Sequence, residues 1–223
     1  MWITQTFFIF IMMVVYSMVN AGTIDTSEQL PFEQCGYCHE YDGNSVMPDY
    51  PRLAGQHKNY LVKQLLDFKT GKRKSPMQAT AELLTEQDIQ NVATYFSQQT
   101  SAASNTHTNL VDIAGAKNMY LQGDAKRGLI ACAGCHGEAA EGRDDVPQLA
   151  GQHQNYLATQ LALFKNAQRS NDKDGVMRSI AVKLSQSEIE RLAKFLSALP
   201  PNTYRKSVIT TKTDTLINSE RKQ

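Results

Sequence analysis

"CGYCH", residues 35–39, and "CAGCH", residues 132–136, hold all four cysteines of this 223-residue chain. Each sets two thiols three residues apart with an imidazole directly behind. On a helix, positions i, i+3 and i+4 share a face, so two sulfurs and one ring converge on one side of a single turn.

The chain around the two pentapeptides is duplicated as well. "PRLAGQHKNYLVKQLLDFK" (51–69) pairs with "PQLAGQHQNYLATQLALFK" (147–165), and "MQATAELLTEQDIQNVATYFS" (77–97) pairs with "MRSIAVKLSQSEIERLAKFLS" (177–197) without a gap. The offset drifts from 97 at the cysteines to 96 and then 100, which small loop insertions explain. A unit of roughly 80–95 residues is long enough to fold as a domain, yet its core is small and gains from a bound cofactor. The expected division is a leader at 1–21, one domain at 22–100, a connection at 101–116, a second domain at 117–200 and a polar tail at 201–223. The connection shares the small polar stretch "SQQTSAASNTHTN" (97–109). In the leader, "FFIFIMMVVYSMV" is an uncharged apolar run, shorter than the roughly 20 residues that span a bilayer. "VNA" follows with the small residues of a signal-peptidase site, so cleavage after Ala21 is expected; the other reading is a retained N-terminal anchor. Either one sends the remaining chain out of the cytoplasm.

Periodicity predicts three helices per unit and no strand. The first leads into the cysteine motif, with Gly123 and Asp124 marking its start in the second unit. The second, "NYLVKQLLDFKTG", carries Leu61, Leu65 and Phe68 on one face, and its twin carries Leu157, Leu161 and Phe164. The third starts at Thr85 with Asp88 three residues on, and at Ser185 with Glu188 three residues on, both resembling capping boxes. Its apolar stripe is Ile89, Val92 and Phe96, then Ile189, Leu192 and Leu196. The fold class is all-α.

Four chemistries use cysteines in this pattern. Disulfides suit an exported chain. A redox pair of thioredoxin type needs a βαβ setting that the pattern lacks. Zinc would need a further ligand for each triad, and adjacent cysteine and histidine crowd a tetrahedral ion. Covalent haem uses Cys-x-x-Cys-His as its attachment signature: two thiols add to two vinyl groups and the imidazole reaches the iron. Spacing and duplication together favour haem, with Cys35, Cys38, Cys132 and Cys135 as attachment points and His39 and His136 as iron ligands. For the opposite axial position, Met77 and Met177 are the methionines that the duplication matches, whereas Met47 has no twin. His57 and His153 are twins too and would make bis-histidine haems; the alternative is a hydrogen-bonded structural role near the second helix.

"CGYCH … PRLAGQ … SPM" and "CAGCH … PQLAGQ … GVM", in tandem behind an export leader, closely resemble the dihaem cytochromes c of the cytochrome c4 type, over about residues 28–200. The resemblance implies two tandem class I cytochrome c domains, each of three or more helices around one covalent haem c. It implies that the carbonyls of Pro51 and Pro147 hold the proximal rings of His39 and His136. Such a bond fixes the tautomer and raises ligand basicity. It also implies a periplasmic electron carrier, not an enzyme, working between a quinol-oxidising cytochrome bc complex and a terminal oxidase. A second possibility is an electron-accepting subunit of a dehydrogenase, such as a flavocytochrome c sulfide dehydrogenase. A haem enzyme of the thiosulfate dehydrogenase or peroxidase kind needs an open or unusual ligand, and no cysteine remains outside the two motifs.

Net charge is +1, which gives no support to a nucleic-acid partner. The charge is lopsided: residues 22–104 hold seven Lys/Arg against ten Asp/Glu, and the tail holds five against two. Such asymmetry can orient a molecule on a redox partner. Peripheral membrane association is a further expectation. "GKRK", with Lys72, Arg73 and Lys74, reads either as a basic docking rim just before Met77 or as a solvated helix end.

Overall fold

The computed structural model describes residues 31–102 and 110–201. The leader and nearly all of the polar tail lie outside the described residues. Among the described residues there are nine α-helices and no strand: α1 (Pro31–His39), α2 (Lys58–Lys69), α3 (Met77–Glu82), α4 (Glu86–Gln98), α5 (Leu110–Gln122), α6 (Ala133–His136), α7 (Gln154–Lys165), α8 (Val176–Ala181) and α9 (Gln186–Ala198).

Local chemistry accounts for the long helices. Thr85 caps α4 and Ser185 caps α9. In each case the hydroxyl accepts from the backbone N–H of Asp88 or Glu188, whose carboxylate reaches back to the cap's own N–H. The expected stripes are buried. Leu61 and Leu65 of α2 pack with Ile89, Val92 and Phe96 of α4 in the first domain, and Phe68 is buried beside Arg73. In the second, Leu157 of α7 packs with Ile189, Leu192 and Leu196 of α9, Leu161 is partly buried against the same cluster, and Phe164 is buried beside Arg169.

Two features depart from the sequence reading. Gly123 ends a helix; it does not begin one. Its φ of +69° and its N–H bond to the Met119 carbonyl at 2.8 Å close the C-terminus of α5. A side chain there would meet the Leu129 carbonyl, so only glycine fits. Accordingly α5 begins at Leu110, inside the stretch 101–116 that the composition assigns to the connection, and it packs on α9 through Ala116 and the fully buried Tyr120. The motif helix of the second domain is then only α6, with a 3-10 turn, Ala125–Arg127, between it and α5. The first domain solves the same problem differently. There α1 itself lies on α4, and the Phe32 ring stacks on Tyr95 at 3.9 Å between centroids. The equivalent residue of α9, Phe195, faces Tyr120 of α5 at 5.7 Å.

The repeated "LAGQH" stretch assigns one task to each residue. Ala54 and Ala150 are buried. Gly55 and Gly151, at φ +67° and +71°, turn the chain so that their N–H groups bond Phe96 and Leu196 carbonyls at the ends of α4 and α9. Gln56 and Gln152 cross to the other domain. The Gln56 amide bonds both the N–H and the carbonyl of Gln148, and the Gln152 amide does the same to Arg52. His57 and His153 precede α2 and α7 and bond carbonyls of the opposite domain, those of Glu141 and Ser45. Every bond of one domain to the other in this set has its reciprocal, as a two-fold axis between like surfaces requires.

Candidate haem sites

The first pentapeptide closes α1 and the second forms α6. In the second, the N–H groups of Cys135 and His136 both bond the Cys132 carbonyl, at 3.2 and 3.0 Å, which is one helical turn with Cys132, Cys135 and His136 on one side. Cys35 and Cys132 are half-buried, Cys38 and Cys135 are exposed, and no disulfide joins any of them. Burial pushes the Cys35 thiol up to about 11 and raises Cys132 as well. A reactive redox pair needs the opposite shift.

Both motif histidines are buried, at 3% and 7% exposure, where a polar ring without a hydrogen-bond partner is costly. Each has one. His39 donates through Nδ1 to the Pro51 carbonyl at 2.8 Å, and His136 donates to the Pro147 carbonyl at 3.0 Å. Burial lowers the pKa of both rings, against the opposing pull of these carbonyls, so both are neutral. A neutral ring with Nδ1 committed presents Nε2 to a metal. The Tyr50 ring stands edge-on to His39 at 6.1 Å.

Met77 and Met177 stand at the starts of α3 and α8, both partly buried. Met77 packs against the same apolar cluster as Cys35. Four residues inserted between Arg169 and Met177 include a 3-10 turn at Lys173–Gly175, which absorbs the offset change from 96 to 100. Met47 is 48% exposed. The structure places His57 and His153 elsewhere: their Nε2 atoms bond Glu141 and Ser45 carbonyls at 2.8 and 2.7 Å, so these rings serve the domain interface.

The donor set fits covalent haem better than it fits zinc. Among the described residues no three His, Cys, Asp or Glu side chains gather where they could share an ion. What each motif offers instead is two thiols and one buried, oriented imidazole. Two such units in tandem all-α domains define a dihaem c-type cytochrome.

Comparison with known proteins agrees. The family model for cytochrome c matches residues 27–100 and 123–200. Cytochrome c4 of Pseudomonas aeruginosa is 39% identical over 170 residues, which is 74% of this chain and 83% of that one. The structure of reduced recombinant cytochrome c4 from Pseudomonas stutzeri superposes with a TM-score of 0.72 at 35% identity, covering 77% of this chain and 97% of that one. A thiosulfate dehydrogenase electron acceptor of Thiomonas intermedia is 32% identical over 170 residues, 74% of this chain and 78% of that one. The chain belongs to the cytochrome c family, among the dihaem cytochromes c4. It is an electron-transfer protein with two covalently bound haem c groups.

Sequence reasoning missed one set of residues that the structure brings together. Arg73 and Arg169 are twins at offset 96, both 7% exposed. Arg73 donates to Gln64, Tyr156 and Gln160, and Arg169 to Gln160, Gln64, Tyr60 and Asn171. Each guanidinium also lies over a phenylalanine ring, Phe68 or Phe164, at 4.6 and 4.4 Å. The available signal was the recurrence of Tyr, Gln and Arg in both units at positions that no apolar stripe needs. Arg73 is therefore part of the domain interface and leaves the docking rim to Lys72 and Lys74, which are exposed.

Proposed function

We propose that this protein carries electrons in the periplasm between a quinol-oxidising cytochrome bc complex and a terminal oxidase. In this reading His39 and Met77 ligate one iron, His136 and Met177 the other, and Cys35, Cys38, Cys132 and Cys135 anchor the two haems. One observation carries the assignment: both motif histidines are buried, neutral and tied through Nδ1 to a proline carbonyl. Haem iron, when bound, supplies one-electron chemistry. The chain's part would be to hold it: the thiols of Cys35, Cys38, Cys132 and Cys135 would anchor the macrocycle, the Pro51 and Pro147 carbonyls orient the imidazoles of His39 and His136, and Met77 and Met177 would keep the iron closed to substrate. A carrier so closed changes oxidation state with little rearrangement, which suits transfer and not catalysis. The export leader expected at residues 1–21 supports the compartment. Among the described residues no helix is long and apolar enough to cross a membrane.

A second reading keeps the haems and changes the donor. The relative from Thiomonas intermedia, a thiosulfate dehydrogenase electron acceptor, supports a role as acceptor for a sulfur-compound dehydrogenase. This broadens the flavocytochrome alternative that the sequence suggested.

Mass spectrometry and stopped-flow kinetics test both levels. The mature protein should carry two haem additions, and Cys35→Ala with Cys38→Ala should leave one. Isolated oxidase should oxidise the reduced protein faster than a purified dehydrogenase reduces the oxidised one. A colourless, zinc-loaded protein would remove the haem assignment. Rapid reduction by the dehydrogenase with slow oxidation by the oxidase would favour the acceptor reading.

A further inference from the structure

The two proline carbonyls that hold the motif histidines belong to peptide groups with a second partner. The Pro51 carbonyl shares its peptide with the N–H of Arg52, and that N–H donates to Gln152 Oε1 of the other domain at 2.9 Å. The Pro147 carbonyl shares its peptide with the N–H of Gln148, which donates to Gln56 Oε1 at 2.9 Å. In a trans peptide the C=O and N–H point in opposite directions, so each peptide stands between a histidine of its own domain and a glutamine of the other.

The glutamines are held firmly. Gln56 Oε1 also accepts from the His57 N–H at 3.0 Å, and Gln152 Oε1 from the His153 N–H at 2.9 Å. Their Nε2 groups return to the Gln148 and Arg52 carbonyls at 3.1 and 2.9 Å. Both glutamines are nearly buried, at 6% and 7% exposure, so water does not compete well for these bonds.

We propose that Gln152 and Gln56 are crosswise positioning residues: Gln152 tunes the redox potential of the haem in the first domain, and Gln56 that of the haem in the second. This rests on His39 and His136 being the proximal ligands. An acceptor on a peptide N–H polarises that peptide and makes its carbonyl a better acceptor, because linked hydrogen bonds strengthen one another. A stronger carbonyl draws the Nδ1 proton and raises the basicity of the coordinating nitrogen, which favours the ferric state. Each domain thus lowers the potential of its neighbour's haem only while the two are docked.

Gln152→Met and Gln56→Met in the full holoprotein test this. Potentials come from an NMR-monitored redox titration in which haem methyl signals are assigned to domains. Ferrous protein supplies the Nδ1–H resonances of His39 and His136. Gln152→Met should raise the potential of the first haem and move the His39 Nδ1–H signal to lower frequency, leaving the second haem and His136 unmoved. Gln56→Met should do the reverse. Gln152→Glu, which keeps an acceptor oxygen, should not raise the first potential and should keep the His39 signal near its native place. Potentials that move together, that move in the mutated domain's own haem, or that stay fixed would overturn the proposal. A ferrous wild-type spectrum without two upfield methionine methyl signals would remove the axial-ligand assignment itself. Its presence alongside unmoved potentials would remove the crosswise tuning alone.

Discussion

At the scale of single residues, the choice between two methionines decides how the first haem is held. Met47 and Met77 both follow His39, but Met47 is 48% exposed with no counterpart in the second unit, whereas Met77 opens α3 and packs beside the cluster that includes Cys35. A thioether on ferric haem produces a weak near-infrared charge-transfer band. Met77→His should remove about half of it in a molecule with two His/Met haems, and Met47→Leu should leave it whole. Loss of the band in Met47→Leu would reverse the choice. The histidines divide with equal clarity. His39 and His136 turn Nδ1 to a carbonyl of their own domain, while His57 and His153 use Nε2 on a carbonyl of the other. The Cys-x-x-Cys-His spacing already set His39 and His136 apart as ligand candidates, and the bonding partners of His57 and His153 show that those two fasten the domains.

At the scale of elements, the duplication is less strict than the alignment of its best segments. The second domain has α5 and a tight turn ahead of its motif, and that turn is clamped to α9. Arg127 donates to both carboxylate oxygens of Glu188, at 2.8 and 3.1 Å, and to Asp124 at 2.7 Å. Arg127 holds Glu188 down at about 2 against an ordinary 4.5, and lowers Asp124 as well. A carboxylate with a depressed folded pKa stabilises the fold above its ordinary pKa and loses that contribution as pH falls through the folded value. Arg127→Gln should therefore lower the melting temperature at neutral pH, and the gap to the wild type should close between about pH 4.5 and 2. A gap that persists at the acid end would mean that Arg127 acts through packing of its stem. Helix α5 shows why element boundaries escaped the sequence. Its first residues, "LVDIA", directly follow the polar connection, and its stop signal, Gly123, sits where a helix start was also plausible.

At the scale of the whole molecule, the interface between domains is polar and reciprocal. Arg73 and Arg169 share Gln64 and Gln160 as acceptors, and neither guanidinium bonds a carboxylate in this network. Removing Arg73 takes its donor from Tyr156 and one of the donors from Gln64 and Gln160, which Arg169 still serves, a loss on the order of 1–3 kcal/mol. Arg73→Met should lower the unfolding free energy read from urea titration by that amount. Lys72→Gln and Lys74→Gln, on the exposed flanks, should each stay within about 0.5 kcal/mol. Equal effects at all three positions would show that the network carries little of the docking energy. If a basic rim steers a partner to the first haem, only these two lysines of the "GKRK" run can form it.

The haem motifs, the helices α2, α4, α7 and α9, and the pairing of Met77 with Met177 were legible in the chain itself. All three depend on short spacings: one helical turn, the 3.6-residue period, and a gap-free repeat. Capping at Thr85 and Ser185 was legible for the same reason, since donor and acceptor stand three residues apart. The cross-domain partners of Gln56, Gln152, Arg73 and Arg169 lie 83–109 residues away along the chain, among glutamines, tyrosines and backbone groups that look like ordinary surface. A repeated polar residue signals that something constrains it. What it touches depends on how two folded domains meet, and that is decided by the shapes and dipoles of surfaces that exist only after each domain has folded.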